Sequence, residues 1–265
     1  MRLKIRHSTT YRYHEPVSYG LLQVRLTPKD SKNQNTLDWT IEAAGGAEMV
    51  QFRDHLNNQV TLLHIEEGAS EVEIVAHGEV DTIDTAGIVE NHRGFAPLWF
   101  FKKSSALTRL GKETRQLARQ LDGDADTITR LHTLSSAIRD RVTYETGSTY
   151  AETTAEEALQ GGAGVCQDHA HVFISCARQI GVPARYVSGY LMMDDRIDQD
   201  ATHAWAEAHV EGLGWVGFDV SNGISPDERY VRVATGLDYA EAAPVTGMRY
   251  GEGDEKMIVS LQVQQ

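Results

Sequence analysis

Cysteine is scarce in this 265-residue chain, with only Cys166 and Cys176 present. Two thiols cannot staple a fold of this length, so a disulfide framework is excluded and stability must come from buried apolar surface. Long hydrophobic runs are missing as well. No stretch of 18 or more apolar residues occurs, so no membrane-crossing helix is expected. The opening MRLKIRHSTTYRYHEP has no apolar core of a secretory signal. Together with free thiols this gives a cytoplasmic location as the expectation. Positive charge is the third shortage: Lys and Arg number 25 against 38 Asp and Glu, a net charge of −13. Such a surface repels phosphate backbones and anionic lipid, so neither a nucleic acid nor a membrane is expected as a partner. What is present is 41% apolar and 24% charged residues, the balance of a globular chain long enough for one large domain or two ordinary ones.

The first hundred residues read as β structure. Segments 2–13, 21–27, 37–43, 47–53, 60–66 and 71–80 are rich in β-branched and aromatic residues or alternate apolar with polar. Asn57-Asn58 supplies a hairpin turn between two of them. The pattern changes near residue 100, and the boundary is placed within residues 91–104. Leu107, Leu110, Leu117 and Leu121 keep helical spacing until Asp122-Gly123-Asp124 breaks it. Ile128, Leu131, Leu134, Ile138 and Val142 form a second apolar stripe. Thr154 and Glu157 have capping-box spacing for a short helix that ends at Gly161-Gly162. A longer helix is predicted from about Cys166 to Ile180, stopped by Gly181-Val-Pro183. Strands return over 184–193, 202–210, 215–220 and 257–264. The expected division is a β-rich domain over 1–100 and a mixed domain over 101–265.

The chemistry concentrates in GGAGVCQDHAHVFISCARQIGVPAR. Glycines at 161, 162 and 164 precede a helix whose first turn holds Cys166. Unpaired N–H groups and the helix dipole there favour a thiolate. Cys176, mid-helix, reads as a small buried hydrophobe. A thiolate nucleophile needs a base and a group to orient that base. His203 opens the strand THAWAEAHV, in which His203, Trp205, Glu207 and His209 share one face and three alanines the other. Asp219 ends the next strand, so a hairpin can bring it to His203. Asp168, His169 and His171 beside two cysteines suggest a metal, but helix geometry puts His171 on another face and separates His169 from Cys176 by about 10 Å along the axis. No metal is expected, and the two histidines read as packing or surface residues.

GVCQDHAHVFISCARQIGVPARYVSGY followed by THAWAEAHVEGLGWVGFDVSNG resembles the core of the transglutaminase-like superfamily. A G-x-C-x-D helix start, an H-A-W-x-E strand and an F-D-x-S-N-G strand end occur in order. Val220 stands where proline is commoner, which puts the turn rather than Asp219 in question. Tyr11-Arg-Tyr13-His-Glu-Pro16, PLWFFKKSSALT and GLDYAEAAPVTGMRYG resemble bacterial members, so the likeness spans nearly the whole chain. The resemblance implies an α+β, papain-like core of helices packed on an antiparallel sheet, preceded by an antiparallel β domain. It implies Cys166 as nucleophile, His203 as base then acid, and Asp219 as orienting carboxylate. The activity implied is that of a cysteine peptidase or amidase, a hydrolase working through a thioester on peptide or protein amides, without a cofactor. Acyl transfer to an amine by the same triad is the first alternative, and a non-catalytic peptide-binding module is the second.

The Cys166 N–H is one oxyanion donor candidate, and by resemblance Tyr144 is the other. Trp205 and Glu207 are candidates for the cleft wall, with sheet packing as the alternative. Asp168 is the third cleft candidate, with satisfying first-turn N–H groups or supporting the site as its other reading. The acidic run at Asp194, Asp195, Asp198 and Asp200 lacks the glycine and distal glutamate of a calcium loop. As a cleft rim it would favour a cationic substrate.

Overall fold

The computed structural model describes residues 1–121, 123, 125–250 and 253–265. The chain opens with β1 (Arg2–Val17), β2 (Tyr19–Val24), β3 (Gln34–Ala44), β4 (Gly46–Arg53), β5 (Gln59–Ile65), β6 (Ala69–Thr82) and β7 (Ile88–Glu90). The middle holds α1 (Lys112–Arg119), α2 (Thr127–Arg141), β8 (Thr143–Tyr144), α3 (Ala155–Gly161), β9 (Ala163–Gly164) and α4 (Cys166–Gln179). It closes with β10 (Ala184–Leu191), β11 (Asp198–Gln199), β12 (His203–Val210), β13 (Gly214–Phe218), β14 (Tyr230–Gly236), α5 (Tyr239–Ala242), β15 (Val245–Tyr250) and β16 (Glu255–Gln264).

These strands build a sheet ordered β11-β16-β1-β6-β3, a second ordered β15-β2-β5-β4, and a third ordered β14-β10-β12-β13-β7. All pairings in them are antiparallel, and β8 and β9 form a separate parallel pair. β1 shows why the layers meet as they do. Its odd-numbered residues from Leu3 to Tyr13 are largely buried while its even-numbered ones are not, the period of two expected of a strand with one covered face. Leu3 and Ile5 pack with Tyr190, Val231 and Val233 of the third sheet. Tyr11 and Tyr13, on the same face, pack with Leu22, Val24, Leu63 and Ile65 of the second sheet. One strand face therefore serves two partners, and each fully buried large apolar side chain contributes about 1.5–3 kcal/mol.

The division at residue 100 does not follow the sheets. β15 pairs with β2 and β16 pairs with β1, so the C-terminal tail completes both N-terminal sheets. β7 crosses the other way and pairs with β13 at the edge of the third sheet. Uncovered strand edges leave backbone groups unpaired, and these returns cover them.

The helices lie on the third sheet. Ala204, Ala206 and Ala208 of β12 share a core with Val172, Phe173, Cys176 and Ala177 of α4. Small side chains on that strand face let the helix backbone approach closely. In α3, the Glu157 carboxylate accepts from the Thr154 N–H at 2.9 Å and the Thr154 hydroxyl accepts from the Glu157 N–H at 3.3 Å. That helix ends at Gly162, whose φ of +70° suits glycine. α1 begins later than leucine spacing predicts, at Lys112, leaving Leu107 and Leu110 outside it. The cause is tertiary: the Glu156 carboxylate of α3 accepts from the N–H groups of Glu113 and Thr114 at 2.9 and 3.0 Å, fixing the helix start. Of the predicted breaker, Asp122 and Asp124 lie outside the described residues.

Candidate active site

Cys166 is the first residue of α4 and is partly buried. Its N–H has no acceptor within the helix. Val165 before it is extended and offers no side-chain cap. Asp168 substitutes by reaching back, its Oδ2 accepting from the Val165 N–H and the Thr149 hydroxyl, each at 2.7 Å. A Cβ at position 164 would lie 2.8 Å from the Asp168 Cβ, so glycine there is what lets the carboxylate fold onto the chain. Burial raises the Asp168 pKa, against the pull of those two hydrogen bonds. Only 1% of Asp168 is exposed, so it does not line an open cleft. It fixes the approach to the cysteine.

His203 stands at the start of β12, with its Nε2 2.6 Å from Asp219 Oδ2. Asp219 follows β13 and accepts three further bonds, from the Tyr230 hydroxyl and Asn222 Nδ2, both at 2.7 Å, and from the Asn222 N–H at 3.2 Å. Burial would raise its pKa, but the contacts with His203, Tyr230 and Asn222 hold it below the ordinary carboxylate value. Val220, where proline was the familiar residue, is 1% exposed and packs in the helical core. The turn is closed instead by the Gly223 N–H donating to the Asp219 carbonyl at 2.8 Å. Burial lowers the His203 pKa, yet hydrogen bonding with Asp219 and Cys166 and the charges of both raise it to about 10 overall. Cys166 and Asp219 thus both act on the charge state of one imidazole.

Because its folded-state pKa exceeds the unfolded value near 6.5, protonated His203 stabilises the fold fully below about pH 6.5. That contribution is lost as pH rises through about 10. Urea titrations across this window should show wild-type stability falling more steeply with pH than that of His203→Gln. Parallel curves would mean the histidine is not held as a cation.

Trp205 supports the imidazole from beneath. The rings stack with centroids 6.2 Å apart and 29° between planes. A Cβ at Gly189 would come within 2.7 Å of the indole, so the opposite strand must be bare there. At 3% exposure Trp205 is packing behind the histidine rather than an open wall of the cleft. Glu207 is a clearer correction. It is fully buried and its Oε2 sits 2.5 Å from Arg185 Nη2, so it cannot meet a substrate. Its place on the His203 face misleads because only the strand's first residue reaches the site.

Tyr144 is brought in by the parallel pairing of β8 with β9, which sets it opposite Gly164, two residues before Cys166. It is half exposed, and partial burial followed by the charges of Cys166 and Asp219 raises its pKa. His169 and His171 are both buried. His169 Nε2 donates to the Val142 carbonyl at 2.9 Å and its Nδ1 accepts from the Ser221 hydroxyl at 2.8 Å. It thereby ties α4 to the segment before Tyr144 and to the turn after Asp219. His171 Nε2 accepts from the Tyr239 N–H at 3.1 Å, and burial lowers its pKa to about 4. Burial pushes the Cys176 thiol up to about 12. Three rim carboxylates already have partners: Asp194 with Arg229 at 3.5 Å, Asp195 with Arg196 at 3.2 Å, and Asp198 with Gln262 at 2.8 Å. Among the described residues no group of three or more His, Cys, Asp or Glu is placed to hold a metal ion.

Sequence reasoning missed Tyr230, Asn222 and the stapling role of His169. Asn222 stood in the recognised S-N-G turn, a possible signal. Tyr230 had none, because β14 is placed beside β10 only by the sheet.

A partly buried cysteine at a helix start and a histidine that a carboxylate holds across a hairpin, carried by helices packed on antiparallel strands, give an α+β fold of the papain-like class. Residues 115–220 match the family model of the transglutaminase-like superfamily core, and residues 3–81 match that of the bacterial transglutaminase-like N-terminal region. The chain belongs to the transglutaminase-like superfamily and carries this bacterial N-terminal region. An uncharacterized protein of Mycobacterium tuberculosis is 31% identical over 293 residues, covering 99% of this chain and 92% of the relative. One from Mycobacterium leprae is 24% identical over 275 residues, covering 99% and 98%. A crystal structure from Cytophaga hutchinsonii, reported as that of "a Putative Cysteine Protease", superposes with a TM-score of 0.79 at 24% identity over 100% of this chain and 91% of that one. That likeness establishes the fold. No helix among the described residues is long and apolar enough to cross a membrane.

Proposed function

We propose that this protein is a cysteine-dependent amide hydrolase acting on peptides or proteins. The carrying observation is His203, held by Asp219 at 2.6 Å, with Cys166 also raising its pKa. In this reading the Cys166 sulfur attacks the amide carbonyl carbon. The C–N bond breaks, the imidazolium of His203 gives its proton to the departing nitrogen, and a thioester remains. Water then attacks the thioester, His203 takes its proton, and the acid leaves as the cysteine is restored. General acid–base help of this kind is worth about 10²–10⁴-fold. Asp219 keeps the imidazole in the tautomer that faces the sulfur. The Cys166 N–H at the helix start supplies one oxyanion donor, and Tyr144, opposite Gly164, supplies the second. The free state of both thiols fits a reducing compartment such as the cytoplasm.

Alkylation tests the reading without a known substrate. Iodoacetamide should modify Cys166 well below pH 8, as mass mapping would report, while Cys176 remains unmodified in the folded protein. Equal sluggishness of the two thiols would favour a binding module. Incubating wild type and Cys166→Ala with a peptide library, with ammonia and new termini measured, then separates amidase from peptidase. Products carrying an added amine would identify acyl transfer.

A further inference from the structure

A cavity of about 190 Å³ opens beside the histidine, where the N-terminal sheets meet the core. One wall is Tyr11 of β1 with Met257 and Val259 of β16. The opposite wall is Thr202, Tyr239 and Val245. Thr202 immediately precedes His203 in the chain. The Tyr239 ring lies 6.1 Å from that of Tyr186, a residue that also feels the charge of Cys166. The cavity therefore meets the chain one residue before His203, at the start of β12.

Its chemistry is mostly apolar. Tyrosine rings, valines and Met257 supply the walls. His7 lines it too, but its ring nitrogens are used by the Tyr190 hydroxyl at 3.0 Å and the Thr9 hydroxyl at 3.1 Å. Burial also keeps that imidazole neutral. Asp200 is the one ionised side chain in the lining. The volume matches roughly six waters at about 30 Å³ each, enough for an apolar side chain of moderate size. Nothing in the lining would neutralise an anionic group.

We propose that this cavity is a substrate subsite that takes an apolar side chain adjoining the scissile amide, with β1 and β16 setting its preference. The proposal rests on Cys166 being the nucleophile. It also gives the N-terminal β region and the returning C-terminal strand a part in substrate choice.

The test uses the full chain and alkylating probes of Cys166 that differ only in the amide arm: iodoacetamide, N-phenethyl iodoacetamide and iodoacetylglycine. Rates at Cys166 are followed by mass mapping and divided by the rate of each probe with free glutathione. The phenethyl probe should gain about tenfold over iodoacetamide, the size of effect apolar pockets give, and iodoacetylglycine should fall below it. Met257→Glu, at an exposed rim position, and Val259→Asp should erase the phenethyl gain, read as the ratio of the phenethyl rate to the iodoacetamide rate of the same variant. Melting curves of both variants guard against misfolding. A phenethyl gain that is absent, or that survives both substitutions, overturns the subsite while leaving the nucleophile in place. Failure of iodoacetamide itself to reach Cys166 overturns both.

Discussion

Asp219→Asn is expected to lower turnover by on the order of 10³–10⁴-fold while leaving the fold intact. The carboxylate accepts from His203 Nε2, from the Tyr230 hydroxyl and from Asn222 Nδ2, all through Oδ2. Asparagine keeps the volume but only one oxygen. With that oxygen at the Oδ2 position its NH2 group meets the Asn222 N–H, which Oδ1 accepts at 3.2 Å; turned over, the NH2 group faces the imidazole, the Tyr230 hydroxyl and Asn222 Nδ2. A donor facing Nε2 forces the proton onto the other ring nitrogen, the one needed to take a proton from the sulfur. The loss should therefore fall on kcat with little change in KM. Alkylation of Cys166 below pH 8 should slow in parallel. Tyr230→Phe removes only one of the four donors on this carboxylate and should cost far less, about the 0.5–1.5 kcal/mol of a single hydrogen bond. Steady-state kinetics on a peptide substrate, with the alkylation rate beside it, measures both. A decrease within about threefold for Asp219→Asn would make Asp219 a turn residue and leave His203 to act without an orienting partner.

Glu207→Gln should be strongly destabilising, at about 3–5 kcal/mol. Glu207 Oε2 accepts from Arg185 Nε at 2.6 Å, and Arg232 Nη1 lies 3.7 Å away. All three side chains are buried. Arg185 also stacks over the Trp215 ring at 3.9 Å, which fixes its plane. Register places the group, with Arg185 opposite Glu207 on β10 and β12, and Arg232 on the adjoining β14. Glutamine would leave two guanidinium groups in the sheet with no full counter-charge beyond Glu90, 3.4 Å from Arg232. Since natural domains hold only about 5–15 kcal/mol in total, such a loss is a large share. Urea unfolding should show the midpoint falling at constant slope. Added salt should change the difference little, because buried pairs are poorly screened. Combining Glu207→Leu with Arg185→Met should cost much less than the two single changes summed. A Glu207→Gln protein within about 1 kcal/mol of wild type would show the cluster to be solvated in practice.

Much of this was readable before any coordinates. Cys166 after its glycines, the alternation of His203 through His209, and Asp219 ahead of S-N-G named the three central residues and the elements that carry them. The helix from Cys166 and the cap at Thr154 were equally local, because they depend on side chains a few positions apart. Errors arose where the deciding partner is distant in the chain. Leu107 and Leu110 had helical spacing, but Glu156 sets where α1 begins. Glu207 had a place on the histidine face, but Arg185 claims it. The split near residue 100 followed a change of pattern, but β15 and β16 return to pair with β2 and β1.

The sequence by itself determined the cysteine at the helix start, its helix and the order of the three motifs, since helical and strand periodicity and the first-turn environment of Cys166 are properties of neighbouring residues. Only the tertiary structure decided that Tyr230 and Asn222 share the Asp219 carboxylate, that His169 ties three segments together, and that β1 and β16 wall the cavity beside His203. The reason is physical. Those contacts are made by strand pairing and by burial of sheet faces across long stretches of chain, and no local pattern encodes which strand will lie beside which.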